Sequence, residues 1–76
     1  MSRRQNASLP TKISAIVPTR DRPQELLVAV ESILRQDRPP DELIVVDQSV
    51  GTAAKRLVES AVAEARLPLR LVYVHD

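Results

Sequence analysis

Two short polar segments follow directly on apolar runs, and they hold most of the residues able to do chemistry. They are Pro18-Thr19-Arg20-Asp21-Arg22-Pro23, after Ile13 to Val17, and Asp47-Gln48-Ser49, after Leu43 to Val46. Arg20 carries a planar guanidinium that can lie on a base or grip a phosphate, and Thr19 offers a hydroxyl to the same space. Gln48 has an amide donor and a carbonyl acceptor, the pairing presented by the edge of a uracil or another pyrimidine. Asp47 ends a strand of four consecutive apolar residues, which places an acid at the mouth of whatever crevice forms there. Neither segment has the Gly-rich spacing of a dinucleotide fingerprint or a P-loop, so a nicotinamide cofactor or a Walker-type ATP site is not expected.

Plainer explanations stand beside these. The polar turn after the first run is also what a solvated entry to a helix looks like. Asp21 sits three residues before Gln24, a capping-box spacing, and an N-cap is worth about 1 kcal/mol; capping is the expected role of Asp21. An Asx-turn is the ordinary account of Asp47. Glu31, Glu59 and Glu64 fall on the polar sides of the expected helices and form no carboxylate pair for acid/base work. His75 and Asp76 would suit a metal or a base, but a lone histidine at such a position is more often neither.

The elements that must position these residues follow from periodicity. Residues Met1 to Thr11 are polar and aperiodic, and read as a disordered lead, with the folded unit beginning near Lys12. Ile13, Ala15, Ile16 and Val17, closed by Pro18, read as a strand buried on both faces. Leu26, Leu27, Val30, Ile33 and Leu34 form one stripe of a helix with Pro23 in its first turn, ended by Pro39 and Pro40. Leu43 to Val46 is a second strand. Thr52 is placed to cap a second helix with the stripe Leu57, Val58, Ala61, Val62 and Ala65, and Leu69 to Val74 is a third strand. Strand, helix, strand, helix, strand with right-handed crossovers gives an α/β unit: a three-stranded parallel βαβαβ half of a doubly wound, Rossmann-like sheet. Ligands of such sheets bind outside the carboxyl ends of the strands, where both polar segments land.

Composition narrows the classes of function. With Lys+Arg 11 against Asp+Glu 10, the balance carries no nucleic-acid or polybasic membrane footprint. A single tyrosine is the only aromatic residue, which removes base-stacking platforms of the single-strand-binding kind. The absence of Cys excludes a disulfide framework and thiolate metal sites, and fits a cytoplasmic setting. No apolar run approaches the roughly 18 residues of a membrane span. At 76 residues, one small domain is the most the chain holds, and such a chain buries only roughly 60% of its unfolded surface.

Three blocks, read in order, resemble the opening of family 2 glycosyltransferases: Ile13-Ser14-Ala15-Ile16-Val17-Pro18-Thr19-Arg20-Asp21-Arg22-Pro23, Glu31-Ser32-Ile33-Leu34-Arg35-Gln36, and Pro40-Asp41-Glu42-Leu43-Ile44-Val45-Val46-Asp47. The resemblance runs over most of Lys12 to Asp76. It implies a GT-A fold whose first half binds the nucleotide of a sugar donor, often UDP, with Mg²⁺ or Mn²⁺ bridging the diphosphate. By this resemblance the nucleotide-binding residues are Pro18, Thr19, Arg20, Asp47 and Gln48. Two departures bear on base preference. Arg20 and Asp21 stand where many members have an aromatic residue followed by Asn, and Gln48 stands where many have a second Asp holding the base; stacking by Arg20 and a Gln48 carbonyl accepting from a uracil N–H would replace those contacts. The family's Asp-x-Asp metal motif and catalytic base lie beyond the third strand, so no residue of this chain is assigned to either. The expectation is an incomplete, open-edged GT-A segment spanning 12–76, inactive alone, whose bare first-strand edge invites self-association.

Two other readings remain. One is a receiver-like α/β signalling module with Asp47 as phosphoacceptor, although such a site needs an acidic cluster where the first strand ends in Pro18, Thr19 and Arg20. The other is a truncated fragment with no biochemical role.

Overall fold

The computed structural model describes residues 12–76; the disordered lead expected over residues 1–11 lies outside them. Three strands, β1 (Ser14–Thr19), β2 (Glu42–Asp47) and β3 (Arg70–His75), alternate with two helices, α1 (Pro23–Leu34) and α2 (Ala53–Ala65). All strand pairs are parallel, in the order β1-β2-β3, so the expected βαβαβ unit is what the chain forms. Its register is direct: Ser14, Glu42 and Arg70 start the three strands side by side, and Thr19, Asp47 and His75 end them side by side.

The core explains why these segments pair. Leu26 and Val30 of α1, Leu43 and Val45 of β2, and Ala54 and Val58 of α2 form one buried cluster, with Ala15, Val17, Ile33, Leu34, Val62 and Tyr73 among the residues packed on it. The β2 members are alternate residues and therefore share one face of the sheet. Both helices consequently cover that same face. Two right-handed crossovers stepping in one direction, β1 to β2 to β3, leave no other choice.

The opposite face carries Ile16 and Pro18 of β1, Ile44 and Val46 of β2, and Val72 and Val74 of β3, brought into two rows by the register. Nothing among the described residues covers it, and Ile16 is 65% exposed there. The expectation of a first strand buried on both faces is therefore corrected. Its apolar run has a dry side, Ala15 and Val17, and an open side, because burial on two faces needs helices on both faces.

β1 also extends through Pro18 instead of stopping before it. A parallel strand directs the N–H and C=O of alternate residues to opposite neighbours. The carbonyls of Ile13 and Thr19 accept from Glu42 and Gln48, so odd-numbered residues bond toward β2. Pro18 then points its missing N–H to the unpaired side, the position where a strand tolerates proline.

The helix entries differ from expectation as well. The cap position of α1 is Arg22, with Pro23 in the first turn, and no side chain caps it. Asp21 does not serve as N-cap; it has a left-handed backbone at φ 53° and turns its carboxylate elsewhere. Thr52 occupies the cap position of α2, but its hydroxyl makes no capping bond. α2 ends on Arg66 in the left-handed conformation, φ 54°.

Candidate functional site at the carboxyl ends of the strands

Because the three strands end in register, the segments that follow them meet at one edge of the sheet. Asp47, at the end of the central strand, is fully buried. Its parity with Leu43 and Val45 turns it under the helices, and hydrogen bonds from Ser49 and Tyr73 make that burial tolerable. The Ser49 N–H donates to Oδ1 at 2.8 Å, and the Tyr73 hydroxyl donates to Oδ2 at 2.5 Å. Burial pushes the Asp47 carboxyl up, but the bonds from the Ser49 side chain, the Tyr73 hydroxyl and the Ser49 N–H, with His75 nearby, outweigh it and hold the group below its ordinary value. Tyr73 responds in the opposite sense: burial first, and then its bond to the Asp47 carboxylate, hold the phenol protonated well above its usual range.

Ser49 ties this anchor to the other two loops. Its Oγ accepts from the Asp21 N–H at 2.5 Å, and its carbonyl accepts from His75 Nε2 at 2.7 Å. A carbonyl can only accept, so Nε2 carries the proton in this arrangement. Asp21 returns the contact, its Oδ1 accepting from the Val50 N–H at 3.3 Å. Loop one and loop two are thus bonded in both directions. Beside this junction, Asp21, Pro23, Ser49, Gly51, Ala53 and Ala54 line a cavity of about 230 Å³. On the other side of loop one, a groove of about 260 Å³ runs past Val17, Pro18, Thr19 and Arg20 to Glu25 of α1.

A parallel three-stranded sheet with polar loops gathered at its carboxyl edge is a fold statement only. Identity comes from the family model of glycosyl transferase family 2, which matches residues 14–76, from the first strand through the loops just described. The chain belongs to glycosyl transferase family 2. The matched region corresponds to the N-terminal portion of a GT-A domain, in agreement with the half-sheet architecture. No curated protein and no solved structure matches this glycosyltransferase segment significantly.

The glycosyltransferase segment gathers its five expected nucleotide-binding residues at one edge, but not in one role. Arg20 and Gln48 are exposed, and Thr19 is half-buried at the end of β1. Pro18 is exposed and alternates with Thr19, on the same parity as Ile16. Asp47 has no free carboxylate oxygen facing solvent; it serves as an anchor. Sequence reasoning put Ser49 in the second loop without assigning it a role, and left Tyr73 out of the site. Tyr73 had one available signal: it is two residues before the end of β3, on the parity that faces the helices, where its hydroxyl needs a partner.

The metal that the family implies finds no cage in these residues. No group of three or more His, Asp or Glu side chains is placed to share an ion among the described residues. Asp47 uses both oxygens, and His75 uses Nε2 on Ser49. The strand-end residues therefore do not fit a divalent-ion site. No described helix is long and apolar enough to cross a membrane.

Proposed function

We propose that this segment binds the nucleotide of a nucleotide-diphosphate sugar, with UDP as the best-fitting base class, at the carboxyl edge of the sheet. One observation carries this reading. The loops after β1 and β2 are bonded to each other through Asp21, Ser49 and Val50, and Arg20 and Gln48 are exposed beside that junction in the chain. Gln48 then supplies a paired donor and acceptor for a pyrimidine edge, Arg20 supplies a cation for base stacking or for the diphosphate, and Thr19 adds a hydroxyl. Asp47 acts one step back, holding the backbone of the Gln48 loop.

In sugar transfer, the bond from the anomeric carbon to the diphosphate oxygen breaks and negative charge grows on the leaving group. Arg20, exposed on the loop after β1, supplies a cation for that role, a positioning and charge-balancing contribution. No described residue is assigned as the base that takes the acceptor's proton. The function proposed for this segment is donor binding without turnover by itself.

The receiver-like alternative is weakened by the state of Asp47. A phosphoacceptor must present a free carboxylate oxygen to its donor, whereas this carboxylate is fully buried and hydrogen-bonded through both oxygens.

The test is an NMR titration of the 76-residue chain with UDP, UDP-sugars, GDP-sugars and ADP, with and without Mg²⁺. Shifts confined to Thr19, Arg20, Gln48 and their neighbours on adding UDP compounds support donor binding. A dispersed spectrum that no nucleotide perturbs refutes it.

A further inference from the structure

Ser49 spends three polar groups on three different parts of the chain. Its N–H goes to Asp47 of β2, its carbonyl receives His75 of β3, and its hydroxyl receives the N–H of Asp21 in the loop after β1 while also supporting the Asp47 carboxylate. That last bond matters because loop one has little else to hold it. No side chain caps the helix it leads into, and Asp21 sits at φ 53°, a left-handed conformation that costs an L-residue about 1–2 kcal/mol. A strained residue persists only where its surroundings fix it. The fixing contacts here come from 28 and 29 residues away, through Ser49 Oγ to the Asp21 N–H and from the Val50 N–H to Asp21 Oδ1.

The chain of support runs back to the sheet. Ser49 is held by Asp47, and Asp47 is held by the Tyr73 hydroxyl, so the end of β3 bears on the conformation of a loop after β1. We propose that Ser49 is a positioning residue, transmitting the fixed geometry of Tyr73 and Asp47 to Asp21 and thereby setting the conformation of the Arg20-bearing loop that meets the nucleotide. Only the last clause rests on the donor-binding reading. The hydroxyl is the working group: alanine removes the acceptor for the Asp21 N–H together with the side-chain bond to Asp47, and threonine retains both.

Amide hydrogen exchange on the 76-residue chain separates this role from a general structural one. In Ser49→Ala, exchange at Asp21 and Val50 rises at least tenfold while Leu43, Val45 and Val58 keep their protection, and UDP affinity falls about tenfold. Ser49→Thr restores both. Tyr73→Phe, whose lost hydroxyl touches neither loop residue, also raises exchange at Asp21, by a smaller factor, and decides the question if Ser49→Ala does not fold. Unchanged exchange at Asp21 in Ser49→Ala, or in Tyr73→Phe, overturns the relay, as does a threonine variant as open as the alanine one. If exchange responds as expected and UDP binds Ser49→Ala as tightly as the parent, the positioning of the nucleotide loop is overturned. If no form binds UDP at all, the donor-binding reading fails, and the exchange result alone still decides whether Ser49 sets the loop.

Discussion

The hydroxyl of Tyr73 on β3 donates to Oδ2 of Asp47 on β2 at 2.5 Å, beneath the helices rather than in solvent. The two residues are not register partners; Asp47 pairs with His75 and Tyr73 with Val45, so the ring reaches two residues along the sheet. A buried carboxylate is costly unless hydrogen-bonded, and the only tyrosine of the chain supplies one of its donors. This contact makes an acid part of the core and the support of the strand-end loops.

Tyr73→Phe keeps the ring and removes the donor. A hydrogen bond to a charged, buried group is worth about 1.5–3 kcal/mol, and Asp47 Oδ2 is left without its partner. The variant is expected to lose stability in that range, read as a lower midpoint in urea with an unchanged slope. A loss below about 0.5 kcal/mol, the ordinary scatter of surface substitutions, would show the contact to be dispensable.

Acid should act through Asp47. Its carboxyl is held below the ordinary value of 3.8 in the folded chain, so the unfolded chain binds the proton more readily. The associated stability is fully present above about pH 5 and is lost as pH falls through 3.8 toward the folded value. Unfolding midpoints measured from neutral pH downward should decline over that window, and Asp47→Asn should flatten the part of the decline owed to this group.

Alkali should act through Tyr73, with the opposite sign. The folded phenol is raised above its ordinary 10.0, so its contribution is complete below that pH and decreases as pH rises beyond it. With one tyrosine and no tryptophan, phenolate absorbance reports this group alone. At pH 10 the folded chain should show little phenolate and the urea-unfolded chain about half ionisation.

The two faces of the sheet should respond differently to truncation. Leu43 is fully buried and Leu43→Ala is expected to cost about 2–5 kcal/mol, whereas Ile16, 65% exposed on the uncovered face, should tolerate Ile16→Thr within about 0.5 kcal/mol. Equal losses in a denaturant comparison would mean that both faces are covered in solution.

Arg66 ends α2 with φ 54°, where glycine has no Cβ penalty. Arg66→Gly should therefore stabilise the chain by up to about 1 kcal/mol, seen as a raised thermal midpoint. A lowered midpoint would mean that the Arg66 side chain contributes more than its backbone strain costs.

Apolar periodicity determined the elements because it reports local geometry. The stripe Leu26, Val30, Ile33, Leu34 and the run Leu43 to Val46 assigned helix and strand correctly, and the order of elements led to a parallel sheet with polar loops at one edge. The family was legible for a similar reason, since its blocks are contiguous in the chain. Local rules failed where a side chain had a choice of partners. Asp21 has the spacing of a helix cap, yet its carboxylate serves Val50, 29 residues on, because the fold brings that N–H alongside.

By itself, then, the sequence determined the fold class, the glycosyltransferase family and the two polar loops at the carboxyl edge of the sheet. Tertiary structure decided which face of β1 the other described residues leave uncovered, that Asp47 is an anchor, and that Ser49 and Tyr73 hold it. The physical reason is range. Periodicity and turn chemistry act within a few residues, whereas burial of a carboxylate and the donors that make it tolerable are set by strands meeting 26 residues apart in the chain.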